Sequence, residues 1–202
     1  MHPTRSKARS IFRIVFLIIG AACLVAFFVD YRRFNGAFGG ERLPTVQEEL
    51  KTVILGLGEK TYTDRSGRFS VAVPPGWNQL SADGSMPYDI AFVSPNRASI
   101  RIMATSVPYN TLRELYETIE AREKSRDIRT ELTTIKKWGL DVIQRKADLT
   151  SESVLSFDVV QDFVAYHILC AMPKEFAKEY EPVIVDVVDT FKIVEQPKAS
   201  AE

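Results

Sequence analysis

The sequence predicts an α+β domain, an antiparallel β-sheet sandwiched by helices, preceded by one N-terminal transmembrane helix. Three observations indicate this fold class. Short segments that alternate apolar and polar residues recur between turn signals, as half-buried strands do. Two segments, one in mid-chain and one near the C-terminus, repeat apolar residues at helical spacing. An uncharged run lies near the N-terminus. Helices packed on an antiparallel sheet bury such faces best.

The uncharged run is interpreted as a transmembrane signal-anchor helix at residues 11–29. No charged residue occurs from Ile14 to Val29. Nineteen helical residues extend about 28 Å, which is close to the hydrocarbon core of about 30 Å. Four basic residues precede or begin the run and two follow it. This excess favours a cytoplasmic tail at residues 1–10 and a periplasmic or extracellular C-terminal domain, held on the inner membrane by a single span.

A cleaved signal peptide is the competing interpretation of this segment. Cys23 follows small residues, as in a lipoprotein cleavage site, but Gly20 stands where leucine is usual. Apolar sequence also continues through residues 24–29, so cleavage would leave an apolar new terminus. The uncleaved anchor is therefore favoured, with the lipid bilayer as the partner of residues 11–29.

Residues 30–59 are predicted to be a linker that contains one short amphipathic helix. Residues 30–43 are glycine-rich and show no periodicity. Thr45 and Glu48 can form a capping box. The apolar residues that follow recur at helical spacing: Val46, Leu50, Val53, Ile54 and Leu57. This helix either packs on its own domain or presents a surface to the bilayer or to a second subunit.

The folded domain is predicted at residues 60–194, followed by a flexible tail at 195–202. Its first hairpin is built on the turn "DRSG", in which glycine closes a type I turn. Thr111 and Glu114 form a second capping box, at the start of a helix with an apolar stripe of Leu112, Leu115, Tyr116 and Ile119. Strands are predicted at 60–63, 68–73, 89–94, 98–107, 128–135, 140–149, 154–160 and 163–171, and the helix at 111–126.

The C-terminal part of the domain contains the most apolar strand and a second amphipathic helix. The segment "FVAYHILCAM" is apolar on both faces, which predicts a central strand covered on both sides. Pro173 ends that strand, and an apolar stripe continues from Phe176 to Phe191. Because Pro182 removes one helical hydrogen bond, we expect a kink or a division into two segments near Glu181.

The stretch "GRFSVAVPPGW" (67–77) ends a strand in two prolines, a glycine and a tryptophan. It is either a strand end closed by an apolar plug or a binding loop on a rigid turn. Neither Pro74 nor Pro75 can donate a ladder hydrogen bond, so strand pairing ends there. Gly76 allows a sharp reversal that lets Trp77 fold back on the sheet. We therefore favour the plug.

Composition excludes several classes of function. The first 29 residues hold four basic side chains and no acidic one, so residues 30–202 are mildly acidic although the whole chain is neutral. This balance argues against a nucleic-acid surface. Cys23 and Cys170 are predicted not to meet, and with only His2 and His167 they do not make a zinc site. No phosphate or dinucleotide motif occurs, so no cofactor, metal or catalytic residue is assigned.

A few side chains could still carry chemistry. His167 is the only histidine of the folded domain, and we interpret it as a core residue with satisfied hydrogen bonds. Asp83 and Asp89 flank a loop where two carboxylates could hold a hard cation or serve a hydrolase. Lys136, Lys137 and Trp138 resemble a basic-aromatic patch, but Trp138 is interpreted as a cap on the core.

Residues 60–194 resemble the Mog1/PsbP-like superfamily. The resemblance rests on Gly67, Phe69, Pro74, Gly76 and Trp77, and on the closing segment "KEYEPVIVDVVDTFKI". It implies an antiparallel sheet sandwiched by helices and a non-catalytic binding or assembly role. The nuclear-transport member of that superfamily binds a small GTPase and the photosynthetic member is an extrinsic subunit of photosystem II. Neither binding surface can be carried over to residues of this chain.

We therefore expect a membrane-anchored, extracytoplasmic binding or scaffolding domain that assists an envelope protein complex. The alternatives are an extracytoplasmic sensor of a small ligand and a hydrolase that uses the acids near Asp83 and Asp89. The expected protein partner is another envelope protein, and no nucleic acid is expected.

Overall fold

The structure, a computed structural model, describes residues 43–81, 88–126 and 130–194. The predicted span at 11–29, the tail at 195–202 and Asp83 lie outside these residues. Within the described part, no helix is both long enough and apolar enough to cross a membrane.

Three α-helices and ten strands occur in the described residues. The helices are α1 (Val46–Gly56), α2 (Leu112–Arg126) and α3 (Ala177–Asp189), and a 3-10 turn at Lys174–Phe176 leads into α3. The strands are β1 (Thr61–Thr63), β2 (Phe69–Ala72), β3 (Asn78–Ser81), β4 (Ile90–Val93), β5 (Ser99–Ser106), β6 (Glu131–Lys137), β7 (Leu140–Asp148), β8 (Glu152–Gln161), β9 (Val164–Pro173) and β10 (Lys192–Ile193).

The strands form two sheets rather than the single predicted sheet. A seven-stranded antiparallel sheet has the order β3-β4-β5-β9-β8-β7-β6, and a small sheet has the order β1-β2-β10. The inner face of the large sheet packs on α1, α3 and the small sheet, and α2 covers part of its outer face. The α+β class with helices on both sides is therefore confirmed. The first predicted hairpin, β1–β2, belongs to the small sheet, where the second edge of β2 pairs with β10 and not with a strand of the large sheet.

The first hairpin has the predicted turn. β1 and β2 pair antiparallel, and the Gly67 amide donates to the carbonyl of Asp64 at 2.8 Å. Gly67 has φ +67°, a left-handed conformation that favours glycine. The Asp64 carboxylate also accepts a bond from the Ser66 amide at 3.2 Å. The hydrogen bonds that define this turn therefore come from residues 64–67 themselves.

Helix α1 packs on the folded domain through its inner face. Thr45 and Glu48 form the predicted capping box. Leu50 and Val53 are buried in the main core, and the compact unit begins at Pro44. The buried carboxylate of Glu49 accepts bonds from Asn96 (2.7 Å) and Tyr180 (3.0 Å).

Trp77 closes the core next to the strand end, as predicted. Only 7% of the residue is exposed, and its ring packs edge-on against Tyr180 with centroids 6.3 Å apart. The chain then continues directly into β3, a strand that the sequence does not predict. Three of the four residues of β3 are exposed, so no apolar alternation marks it. Its pairing with β4 alone defines it.

Strand β9 is central, as predicted, but its outer face is only partly covered. Tyr166, Ile168 and Cys170 point into the main core, and Ala165 packs under α2. Leu169, on the outer face, remains 37% exposed. Full coverage was therefore a wrong prediction, because α2 covers only one region of that face.

Helix α3 runs without interruption through Pro182, so the division expected near Glu181 is wrong. The helical segments instead meet where the 3-10 turn ends, at Phe176. Pro182 lies in the second turn and removes only one backbone bond. Burial of neighbouring Tyr180, Val183 and Ile184 holds the helix against the core across this position.

Candidate functional site

His167 lies on the outer face of β9 and binds a buried carboxylate. Its Nδ1 is 2.5 Å from Oδ1 of Asp158, the residue directly opposite on β8. Asp158 is fully buried, whereas 18% of the His167 side chain is exposed. His167 is thus hydrogen-bonded, as predicted, but it lies partly exposed on the outer face of the sheet instead of within the main core.

Arg145 completes a buried charge network with Asp158. Its Nε lies 2.9 Å from Asp158 Oδ2, and its Nη1 lies 2.8 Å from Glu123 Oε1 on α2. Burial alone would lower the pKa of Arg145, but the two carboxylates outweigh that effect and raise it. The guanidinium therefore stays charged and ties strand β7 to both β8 and α2.

The geometry around His167 does not form a nucleophile–base pair. The hydroxyl of Ser156 donates to Asp158 at 3.5 Å, not to the imidazole. Among the described residues, no hydroxyl or thiol hydrogen-bonds to His167. A cavity of about 300 Å³ lies beside this network and is lined partly by Arg145, Ser156 and Leu169. The cavity is mostly apolar, and charged side chains at its edge, such as Arg145 and Lys146, form ion pairs within the chain.

Asp89 is engaged in an ion pair that joins two parts of the fold. Its Oδ1 lies 3.1 Å from Nη2 of Arg68, and its Oδ2 accepts a bond from the Ala104 amide at 2.7 Å. Arg68 also binds Asp64 at 2.7 Å. The proposed partner Asp83 lies outside the described residues. Within the described part, no group of three or more His, Cys, Asp or Glu side chains is arranged to hold a metal ion.

Asp64 gives this cluster a defined pH dependence. Burial would raise the pKa of Asp64, but hydrogen bonds and charge from Arg68 outweigh it and hold the pKa below the ordinary 3.8. A carboxylate with a lowered folded-state pKa stabilises the fold above its unfolded pKa, and this contribution is lost as pH falls towards the folded value.

We therefore expect Asp64→Asn to lower the urea midpoint at neutral pH, with a difference from the parent that narrows as pH falls below about 4. Urea titrations between neutral and acidic pH measure this. Asp141→Asn is the control, since its partner Lys136 is an exposed side chain. A difference for Asp64→Asn that stays constant through the acid range would contradict the assignment.

Two tight turns lie at one end of the large sheet, and we call them the hairpin end. They are Trp138–Gly139, between β6 and β7, and Asp162–Phe163, between β8 and β9. All four residues have positive φ, between +52° and +78°. This is the type I′ geometry that suits the twist of two-residue hairpins. Trp138 caps the core as predicted, since its Nε1 donates to the carbonyl of Val188 at 3.1 Å.

Phe163 is the unusual residue of the hairpin end. It is a bulky residue at φ +59°, where left-handed backbone costs about 1–2 kcal/mol. Its side chain is nevertheless 57% exposed. The neighbouring loop holds its backbone: the Phe163 amide donates to Asn110 Oδ1 at 3.1 Å, and its carbonyl accepts from the Val107 amide at 2.9 Å. The fold therefore holds an aromatic side chain out in solvent at a strained position.

A groove of about 540 Å³ lies at the same end of the sheet. Trp138 and Phe191 line it, and their rings are 4.8 Å apart. Gln161, two residues before Phe163, also lines the groove, together with Asp189 and Lys192. The hairpin end thus combines an exposed aromatic residue, an aromatic-lined hollow and a few polar groups.

The sequence predicts neither the hairpin end nor the charge network. It predicts one strand that ends at residue 160 and another that begins at residue 163, but the dipeptide "DF" at 162–163 is not a turn signal. Arg145, Asp158 and His167 are far apart in sequence, and only the strand register brings them together.

No family model and no curated protein matches the chain. Solved structures do resemble it. Cyanobacterial PsbP (CyanoP) of Synechocystis sp. PCC 6803 is 13% identical, with a TM-score of 0.52, over 66% of this chain and 91% of that protein. LpqN of Mycobacterium tuberculosis, which is involved in cell envelope biogenesis, is 10% identical, with a TM-score of 0.51, over 77% of this chain and all of that protein. The chain therefore has the Mog1/PsbP-like fold that its sequence predicts.

Proposed function

We propose that this chain is a single-pass, membrane-anchored binding domain that works outside the cytoplasm and assists an envelope protein complex. The uncharged run at residues 11–29 and its flanking basic residues support the anchor and its orientation. The fold shared with LpqN, a protein of cell envelope biogenesis, supports the envelope setting. We place the partner-binding surface at the hairpin end.

Phe163 is the single observation that carries this proposal. Strained backbone persists only where the surroundings hold it, and such positions cluster at functional sites. Here the side chain that incurs the strain is mostly exposed, so packing within the chain does not repay it. Aromatic side chains are enriched at interfaces because they bring large apolar area with few rotatable bonds. We infer that Phe163 and the Trp138–Phe191 groove contact apolar side chains of a partner protein.

Binding fits the described side chains better than catalysis. A general base needs a reacting group within hydrogen-bond reach of its free nitrogen or oxygen. Asp158 binds Nδ1 of His167, which is how a carboxylate orients an imidazole that reacts through Nε2, but among the described residues no hydroxyl or thiol hydrogen-bonds to this ring. Both oxygens of Asp89 already contact Arg68 or the Ala104 amide. These contacts join structural elements, which is a stabilising role.

Phe163→Gly tests the surface without threatening the fold. Relief of the left-handed backbone, about 1–2 kcal/mol, offsets the entropy cost of glycine, about 0.5–1 kcal/mol. We expect an unchanged or slightly higher melting temperature and the loss of the partner that the parent chain retains through affinity purification from solubilised membranes. A photo-crosslinking residue at position 163 should label the same partner.

Leu149→Ala is the matched control, since Leu149 is also an exposed apolar residue but lies in the β7–β8 connection. It should keep the partner. A Phe163→Gly chain that retains its partner as well as the parent would refute the placement at the hairpin end. A chain that retains the same partners after removal of residues 60–194 would refute the binding role itself.

The orientation has its own test. A reporter that works only in the periplasm or outside the cell should be active when it is fused after Glu202. Activity of a cytoplasm-dependent reporter at the same position would reverse the proposed topology.

A further inference from the structure

The last turn of α1 leads into an uncharged segment, "ILGLG" at residues 54–58. Ile54 and Leu55 are 58% and 75% exposed. The inner face of the helix already contacts the core through Leu50 and Val53. The two aliphatic side chains therefore lie on the side of the helix that faces away from the domain, and their exposure is not a consequence of poor packing of the helix.

A second uncharged segment contacts this one. A Cβ atom on Gly56 would lie 2.9 Å from Cγ of Pro75, so the glycine allows the helix end to sit directly against the Pro74–Pro75 turn. Residues 71–77 also contain no charge. Leu57 packs against the core, whereas Ile54, Leu55, Gly58 and Gly76 are exposed. Residues 54–58 and 75–76 thus form one uncharged surface patch, which we call the apolar tip.

We propose that the apolar tip rests in the interfacial region of the bilayer that holds residues 11–29, so that α1 provides a second, reversible membrane contact. This inference rests on the proposed membrane anchor. Two aliphatic side chains bind a bilayer weakly by themselves, and stable attachment needs a second signal. The anchor supplies that signal by keeping the tip at high local concentration next to the membrane.

Chain length makes this contact reachable. Residues 30–43 separate the end of the predicted span from the compact unit that begins at Pro44. Fourteen residues extend at most about 50 Å at 3.3–3.6 Å each. α1 adds 11 residues, or about 16 Å, before the tip. The chain between the predicted span and the tip is therefore long enough to let the tip reach the lipid surface.

Neighbouring charges and surface area favour lipid over a second copy of the chain. Lys51 and Lys60 are exposed and come before and after residues 54–58 in the sequence, so both can face anionic headgroups, although exposed Glu59 offsets part of that attraction. A stable protein interface buries about 800 Å² on each partner. Two aliphatic side chains and a turn supply only a small part of that area.

The test uses the full chain in vesicles of phosphatidylcholine and phosphatidylglycerol. Leu55→Cys, in a Cys23→Ser background, is labelled with an environment-sensitive fluorophore. Burial raises the pKa of the Cys170 thiol, which keeps that cysteine unreactive. Tyr116→Cys is the matched control, because Tyr116 is an exposed apolar residue of α2 on the opposite face of the sheet.

We expect the fluorophore at position 55 to show a blue-shifted emission, and lipids that carry a quencher near the headgroup should suppress that emission. The fluorophore at position 116 should show neither effect. Equal, unquenched emission at both positions in chains that resist carbonate extraction would overturn the apolar tip while leaving the anchor intact. Extraction of the chain by carbonate would overturn the anchor, and the tip with it. A blue shift at position 55 that lipid quenchers do not affect, and that dilution of the chain with excess lipid abolishes, would assign the tip to a second copy and overturn the proposal.

Discussion

Replacing Arg145 with methionine is expected to lower the free energy of unfolding by about 3 kcal/mol, the lower end of the usual 3–5 kcal/mol for breaking a buried ion pair. The loss is large because Asp158 is fully buried and would lose the guanidinium that pairs with its carboxylate. It stays at the lower end because His167 still binds Asp158. Urea unfolding followed by far-ultraviolet circular dichroism measures the change.

Lys146→Met is the matched control for this prediction. Lys146 is the next residue on β7 and has the same charge, but it pairs with Glu181 in a half-exposed position. Exposed pairs contribute about 0–1 kcal/mol, so this variant should change stability little. The double variant Arg145→Met/Asp158→Asn should recover part of the loss, because it removes the unpaired charge. Equal effects of Arg145→Met and Lys146→Met would contradict a buried network.

Replacing Trp77 with alanine is expected to lower the free energy of unfolding by about 3–5 kcal/mol, the range for truncating a buried large aromatic residue. The ring is almost fully buried, packs against Tyr180 and closes the core where strand β2 ends. Thermal and urea unfolding of the purified chain measure the loss.

Trp77→Phe separates packing from hydrogen bonding at this position. Within the described part of the chain, the Trp77 indole Nε1 is buried without a hydrogen-bond partner. Phenylalanine keeps most of the apolar contact and removes this unpaired donor, so it should cost clearly less than alanine. Near-native stability of Trp77→Ala would contradict the plug and return the Pro74–Trp77 turn to the status of a binding-loop candidate.

Features encoded by neighbouring residues could be predicted from the sequence. The "DRSG" hairpin and the Thr45–Glu48 capping box depend on contacts within about four residues, and both form as predicted. At the second predicted box, the Thr111 hydroxyl accepts a bond from the Glu114 amide and donates one to the Glu114 carboxylate. The burial of Trp77 also followed from its local context, because two prolines and a glycine leave the chain few directions. The Mog1/PsbP-like resemblance supplied the overall arrangement that these local signals share.

Features that depend on register could not be predicted. Strand β3 has almost no buried residue, and its existence follows only from pairing with β4. The contact between Asp158 and His167 requires the two residues to lie opposite each other across a turn whose sequence carries no glycine or asparagine. The position of Phe163 could not be predicted for the same reason. The register places it at a left-handed turn position that a bulky aromatic residue does not favour.

The order of strands in the large sheet has a consequence for how the chain is made. β5 pairs with β9 along its whole length, from Ser99 opposite Ala171 to Ser106 opposite Val164. A chain that emerges N-terminus first therefore holds β4 and β5 with an open, apolar edge until β9 arrives. Pairings between distant segments form slowly, and unpaired strand edges aggregate. The middle of this sheet is thus its last part to be completed, and we expect truncation before Val164 to yield insoluble protein rather than a smaller folded domain.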